Sequence, residues 1–328
     1  MRRIAIVYNP AAGMRRGNLA QEVDEIRTVF SDAGVESTPV ETLATLPSEG
    51  DPLRAVPEDL DAVIAVGGDG TVNTVLQWIA RSSRPVALGV IPRGSGNLLA
   101  RELGIVQRGG RAAATLLKAQ RRSLPLGGIE SLPASNPGKS DQKKRYWLAA
   151  AGAGVDADVL QSLAGRHKSR FGILAYYGGA VRRVLVSRRA LQPFSVEWRR
   201  ENGELRTQVV TQVLIERINY FGPCIEGPGA TMLAEGQLRV VLFKSGRRTM
   251  YVNYGMRQLA YLWGQVVGSA SEIEAVRVEQ VTCFAPQQLE QDPPILAQAD
   301  GEIVGSLPVR IFLSDKRVDV LVPAPTSR

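Results

Sequence analysis

Asp69 stands inside Gly67-Gly68-Asp69-Gly70-Thr71, directly behind the apolar run Ala62-Val63-Ile64-Ala65-Val66. That run predicts a buried strand, and glycines at 67, 68 and 70 let the chain turn where side chains would obstruct it. Backbone N–H groups in such a turn can converge on a phosphate. Val72, Val75, Leu76 and Ile79 follow at helical spacing, so a helix opening near Gly70 adds its dipole and unpaired donors to the same anion site. A carboxylate beside a phosphate cradle is repulsive unless a cation lies between them. The pentapeptide therefore reads as a nucleotide site with a divalent metal, Asp69 serving the metal. A bland strand-to-helix turn with a capping aspartate stays open at this point.

Two further segments repeat the arrangement. Val86-Ala87-Leu88-Gly89-Val90-Ile91 reads as a strand, followed by Pro92-Arg93-Gly94-Ser95-Gly96-Asn97 and the helical Leu98-Leu99-Ala100-Arg101. Ser95 and Asn97 place small hydrogen-bonding groups where backbone can approach a ligand closely. Ile4–Tyr8, followed by Asn9-Pro10-Ala11-Ala12-Gly13, is the third such turn. Turns after neighbouring parallel strands meet at the carboxyl edge of the sheet, where open α/β sheets bind ligands.

Strands at Ile4–Tyr8, Val35–Val40, Ala62–Val66 and Val86–Ile91 must position these turns, with helices between them. That alternation predicts an α/β domain with a parallel sheet over residues 1–124. From residue 125 to 328 the pattern is β-rich: Ile129–Leu132, Tyr146–Ala151, Phe194–Trp198, Val209–Ile215, Leu238–Phe243, Val276–Phe284, Val309–Leu313 and Val318–Val322. Pro133 to Lys144 reads as an exposed loop.

Composition narrows the classes. The chain has 328 residues, 44% hydrophobic and 22% charged, which fits two globular domains with ample cores. No run approaches the roughly 18 apolar residues that cross a bilayer, and Met1-Arg2-Arg3 with five apolar residues predicts no signal peptide. Two cysteines, Cys224 and Cys283, read as free thiols in a reducing cytosol. The lone histidine, His167, lies in a basic loop, so Ser-His-Asp chemistry is not expected. The net charge of +8 invites nucleic acid, but Arg182-Arg183, Arg188-Arg189 and Arg199-Arg200 lack interleaved aromatics, so no nucleic acid partner is expected. Phe171 to Leu185 gives an apolar helix ending in Arg182 and Arg183, suited either to an anionic bilayer surface or to plain solvation. Gly152-Ala153-Gly154-Val155-Asp156-Ala157 fits a dinucleotide fingerprint, but the acidic residue expected about 20 positions on is missing.

NPAAG at Asn9 to Gly13, GGDGT at Gly67 to Thr71 and PRGSGN at Pro92 to Asn97 resemble the diacylglycerol kinase-like lipid kinase family. AGAGVDADV at Ala151 to Val159, FGILAYYGGAV at Phe171 to Val181 and ADGE at Ala299 to Glu302 continue it in the family's order. The resemblance implies an ATP- and Mg²⁺-dependent kinase that phosphorylates a lipid hydroxyl, cytoplasmic and peripheral to the membrane. It also implies an antiparallel β-sandwich as second domain, holding the lipid pocket, whose last strands can return towards the first domain. The implied nucleotide-binding residues are Asn9, Gly13, Thr42, Gly67, Gly68, Asp69, Gly70, Thr71, Asn73, Pro92, Gly94, Ser95, Gly96, Asn97 and Glu302. Asp69 is the implied metal residue and Asp300 the implied general base, although Asp-Gly between β-like runs is also a hairpin signal. Thr74 and Leu98 stand where many members carry acids, no aspartate occurs in Leu124 to Gly127, and Glu235-Gly236 replaces an Asp-Gly. A catalytically silent nucleotide- or lipid-binding protein, or an NAD kinase-like enzyme, are the alternatives. The acceptor lipid and the oligomeric state, a homodimer among the options, stay open.

Overall fold

The computed structural model describes residues 1–10, 18–42, 56–57, 59–82, 84–133, 144–164, 191–218, 236–254, 272–285 and 294–324. Gly13, His167, Cys224, Glu235 and the 171–185 segment with Arg182 and Arg183 lie outside them. The chain divides into two compact units, Met1–Leu126 with Asp315–Arg328, and Gly127–Ser314.

In the first unit β1 (Arg3–Tyr8), β2 (Glu36–Glu41), β3 (Ala62–Gly67) and β4 (Ala87–Pro92) run parallel in the order β2-β1-β3-β4. β3 and β4 are buried at every position, as unbroken apolar runs require when both faces of a parallel sheet are covered. Helix α1 (Leu19–Asp32) opens with Asn18 accepting from the Gln21 N–H and buries Val23, Ile26 and Phe30. It ends in paired bonds, Gly34 N–H to the Ser31 carbonyl and Val35 N–H to the Phe30 carbonyl. Val35, read from sequence as the first residue of a strand, is thus spent on this helix end, and β2 begins one residue later. Helix α2 (Asp69–Arg81) leaves β3 at once. Helices α3 (Leu98–Glu102) and α4 (Gly109–Leu117) follow β4.

The second unit holds a six-stranded antiparallel sheet, β12-β11-β10-β7-β14-β15: β7 (Ala150–Gly154), β10 (Gln212–Glu216), β11 (Leu238–Phe243), β12 (Ile273–Val278), β14 (Leu296–Ala299) and β15 (Glu302–Ser306). Its other antiparallel layer is built from β6 (Lys144–Trp147), β8 (Phe194–Arg199), β9 (Leu205–Val210), β13 (Gln280–Phe284), the part of β5 (Gln120–Ser131) from Gly127 on and the part of β16 (Val309–Val322) up to Ser314. Trp147, Phe194, Val213, Ile215, Leu242, Val281 and Ile311 fill the core that both layers share. β16 begins in this unit and carries the chain into the first, where Val320 pairs with Leu88.

Three runs that read as single strands are two. Val209–Ile215 splits between β9 and β10, and Val276–Phe284 between β12 and β13, each pair lying in different sheets. At the first corner Thr211 bonds outward, its hydroxyl meeting the Ser245 carbonyl at 2.9 Å and the Tyr251 hydroxyl at 2.7 Å. Tyr146–Ala151 splits at Leu148 and Ala149 into β6 and β7. Conversely, Val309–Leu313 and Val318–Val322 are one strand, continuous through the exposed Asp315-Lys316-Arg317. At the first two corners the core-facing residues slip phase, from Val210 to Val213 and from Val278 to Val281, while apolar residues continue through the run, so apolar content alone hides the change of sheet.

Helix α5 (Val155–Ala164) leaves β7 directly, and the glycines before it serve the sheet. A Cβ on Gly152 would lie 2.4 Å from the Val213 carbonyl oxygen, and Gly154 has φ +101°. Close strand packing explains the fingerprint-like spacing.

Cys283 is fully buried in the sandwich core, where loss of solvation pushes its thiol up to about 12. Native protein at pH 8 should leave Cys283 unlabelled by a thiol reagent, with labelling rising in step with urea unfolding. Peptide mass spectrometry locating fast native-state labelling on Cys283 would show that this core opens.

Candidate active site

Because β1 to β4 are parallel, the turns after them gather at one edge. Asn9 follows β1, and Thr42 follows β2, its N–H bonded to the Tyr8 carbonyl at 2.8 Å. Gly67 to Thr71 follow and end β3, and Pro92 to Asn97 end and follow β4. The two glycine turns touch backbone to backbone. A Cβ on Gly94 would lie 2.6 Å from the Gly68 Cα, and one on Gly68 would lie 3.2 Å from the Gly94 Cα. The Arg93 N–H reaches the Gly67 carbonyl at 2.8 Å.

Asp69 staples this contact. One carboxylate oxygen accepts the Leu98 N–H at 2.7 Å and the other the Asn97 N–H at 2.9 Å, so the acid of the first turn caps the helix that follows the second. Burial raises the Asp69 pKa, while the N–H groups of Leu98 and Asn97 pull it back down. Asn97, at φ +51°, closes its own loop: its carboxamide oxygen accepts the Gly94 N–H at 2.8 Å and its amide donates to the Gly94 carbonyl at 2.7 Å. Gly96 lies against Asp69, where a Cβ would come within 2.6 Å of the carboxylate.

Several residues read from sequence as ligand-binding therefore turn inward. Thr71 folds over Gly67, leaving no room for a Cβ there. Asn73 is buried on α2 and accepts from the Gln77 side chain at 3.0 Å. Ser95 is exposed, and a Cβ on Gly70 would meet nothing within 4 Å. Arg93, which sequence reasoning passed over, ties the second turn to α1 through Glu22 at 2.9 Å. Its signal was a charge pinned between a proline and a glycine.

Asp300 and Glu302 belong to the second unit. Asp300 and Gly301, at φ +47° and +81°, form the two-residue turn joining β14 to β15. The Asp300 side chain folds back onto the corner between β6 and β7. One oxygen accepts from Ala149 at 2.8 Å and Ala150 at 3.0 Å, and the other from Leu148 at 2.8 Å. Three successive N–H groups make an anion nest, and the nest is filled by this carboxylate. It also explains why Leu148 and Ala149 interrupt the strand: their donors go to a side chain rather than to a ladder. Glu302 is ion-paired with Arg145 of β6.

Residues 3–129 match the diacylglycerol kinase catalytic domain family, and residues 149–322 match the YegS C-terminal NAD kinase beta sandwich-like domain family. The chain belongs to the diacylglycerol kinase-like lipid kinase family. A diacylglycerol kinase of Bacillus subtilis (strain 168) is 25% identical, the match covering 98% of this chain and 97% of that one. A crystal structure described as a diacylglycerol kinase from Bacillus anthracis shares the fold at a TM-score of 0.65 with 16% identity, over 99% of this chain and 97% of its own. Yeast NADH kinase, solved with NADH, is a more distant likeness of fold: TM-score 0.52, 8% identity, 99% of this chain and 84% of that one. Among the described residues no helix is long and apolar enough to cross a membrane.

Behind the Asp300 turn lie acids that sequence reasoning did not place in a site. Asp156, on the first turn of α5, is buried and its carboxyl is pushed up to about 6 by loss of solvation, the Gln298 hydrogen bond opposing this. Burial likewise carries Glu216 of β10 up to about 7, against the pull of Arg239. A carboxyl whose native pKa lies above its unfolded value contributes stability that is intact at low pH and lost as pH rises through the native pKa. For Asp156 that loss spans pH about 4 to about 6 and amounts to about 3 kcal/mol. Asp156→Asn keeps an acceptor and removes the titration. Urea melts of wild type and variant at pH 4, 5, 6 and 7 should therefore show wild type losing stability relative to the variant as pH rises. Parallel curves would show that Asp156 does not titrate in this window.

Proposed function

We propose that the chain is an ATP-dependent lipid kinase that transfers the γ-phosphate to a lipid hydroxyl of diacylglycerol or sphingoid type. The observation that carries this reading is the pair of glycine turns pressed together at the carboxyl edge and stapled by Asp69, with Gly70 left clear. Phosphoryl transfer asks a protein mainly for positioning and for charge stabilisation. The N–H groups opening α2 supply donors for phosphate oxygens, and the neighbouring Asn9, Thr42 and Ser95 supply further polar groups. Mg²⁺, when bound, neutralises phosphate charge. Asp69 is the residue that would hold it, and because Asp69 already accepts two N–H bonds, water and phosphate oxygens would supply most other ligands. Asp300 accepts the hydroxyl proton in this reading, and the backbone nest holds its carboxylate in place. The net charge of +8 favours work at an anionic membrane surface.

One observation favours a silent binding protein instead: two of the three retained acids, Asp69 and Asp300, are engaged by backbone N–H groups, while Thr74 and Leu98 replace acids common in the family. Labelled ATP with a panel of diacylglycerol, sphingoid base and phosphatidylglycerol separates the two. Phosphate on any lipid supports the kinase; tight ATP binding with no labelled lipid supports the silent protein.

Gly94 cannot test the nucleotide site cleanly, since any side chain there collides with the other turn. Gly70 can. Nothing in the protein itself requires glycine at that helical position, so Gly70→Val should stay folded within about 1 kcal/mol of wild type. If phosphates approach this backbone, the variant should lose at least about ten-fold in ATP affinity by calorimetry, because the new methyls occupy their space. Unchanged affinity would remove the phosphate cradle from this turn.

Asp300→Asn sets an amide N–H against a backbone N–H and should destabilise the fold by about 1–3 kcal/mol whatever its chemical role. A general base further predicts a fall of about 10²–10⁴ in turnover per folded, ATP-bound molecule. Turnover near the wild-type rate, after correction for the folded fraction, would rule out the base.

A further inference from the structure

The turn that carries Asp300 is held from behind by a buried polar link that no motif of the sequence announces. Gln298 stands two residues before Asp300 on β14 and is 1% exposed. Its carboxamide oxygen accepts the Gly301 N–H at 3.1 Å, inside the turn itself. That bond fixes which way the amide points, because its Nε2 must then face the other way. There it donates to the Asp156 carboxylate at 2.7 Å. Asp156 lies on the first turn of α5, where a negative charge is favoured by the helix dipole. α5 packs against β7, β10, β14 and β15, so it is anchored on both strands of the hairpin.

The chain of contacts is thus α5, Asp156, Gln298, Gly301, and then the Asp300 carboxylate in its nest. A bulge between Ala297 and Gln298 shifts the register at this point, and bulges commonly re-aim a side chain near a functional site. Asp300 and Gly301, at φ +47° and +81°, adopt the conformation that Asp-Gly favours in a two-residue hairpin turn, so the added bonds serve to aim the turn rather than to relieve strain. The Asp300 N–H to Ala150 carbonyl bond, 2.8 Å, holds one side of the turn, and Gln298 holds the other.

We propose that Gln298 and Asp156 are positioning residues for phosphoryl transfer, holding the Asp300–Gly301 turn so that the Asp300 carboxylate is aimed at the acceptor hydroxyl. The proposal rests on the kinase reading given above. Gln298 and Asp156 touch no reacting atom in it; they act through the turn. An amide between a backbone donor and a carboxylate does this well, since it presents an acceptor one way and a donor the other at fixed separation.

The test is an exchange of the two groups. Gln298→Glu sets a carboxyl against the Asp156 carboxyl while nearly preserving shape, and working at pH 9, well above the raised Asp156 range, keeps the two from sharing a proton, so the link is broken. Adding Asp156→Asn rebuilds it in reverse: the new carboxylate accepts from Gly301 and from the new amide. Each protein is assayed on the lipid that wild type phosphorylates best in the panel, with melting temperature and amide exchange over 299–302 measured alongside. The single variant should lose at least about ten-fold in kcat, with KM for ATP within about two-fold of wild type, and should exchange the turn amides faster. The double variant should recover most of kcat and the slow exchange. A purely structural link would instead lower the melting temperature while leaving kcat of the folded fraction intact, and that result overturns the proposal. So does a double variant no more active than the single one, or turn amides that exchange at the wild-type rate in Gln298→Glu. Wild type that labels no lipid fails the kinase reading and with it the catalytic role of the pair. The exchange data then show on their own whether the link holds the turn.

Discussion

The contact on which the first unit's site depends is a carboxylate shared by two loops. Asp69 begins α2, yet its oxygens serve Asn97 and Leu98, so the turn after β3 and the turn after β4 are fixed to one another by two charge-assisted hydrogen bonds. The backbones then approach so closely that glycine is obligatory at 94, and Gly96 must clear the carboxylate. Two clusters of N–H donors that would otherwise belong to separate loops become one surface. Burial works against the Asp69 charge and the N–H groups sustain it, so the staple is electrostatically tense and geometrically exact in its demands on neighbouring residues.

The second unit uses the same device in another setting. Asp300 fills a nest of three consecutive N–H groups at the corner where the chain leaves β6 for β7. Here too an acid read from sequence as chemistry is also an element of architecture. The two roles are compatible, because backbone N–H groups that fix the orientation of a carboxylate are a form of preorganisation. Gln298 and Asp156 extend the fixed network into α5, so that the turn is held by buried hydrogen bonds rather than by the hairpin alone.

The sandwich was harder to read than the α/β part for a definite reason. β3 and β4, covered on both faces, are isolated apolar runs that end at the glycine turns, and both could be bounded to within a residue. In the sandwich both layers face one core, so apolar residues run on past Thr211 and Glu279, and only a slip of phase, Val210 to Val213 and Val278 to Val281, records that the chain changes sheet there. The Leu148-Ala149 interruption depends on a partner some 150 positions away, Asp300, and no local pattern could announce it.

Local chemistry was legible in the residues themselves: three strand-to-turn segments, glycines where backbone approaches closely, the acids at 69, 300 and 302, and the order of motifs that marks the family. These are properties of short stretches, and short stretches carry their own sterics and hydrogen-bonding capacity. Which partner each group takes was decided only by the fold. Tertiary structure turned Asn73 and Thr71 inward, spent Asn97 on its own loop, gave Asp69 to the second turn, left Gly70 clear, and joined Gln298 to Asp156. The physical reason is that a buried polar group must find a partner, and the fold supplies candidates from segments that sequence spacing does not bring near.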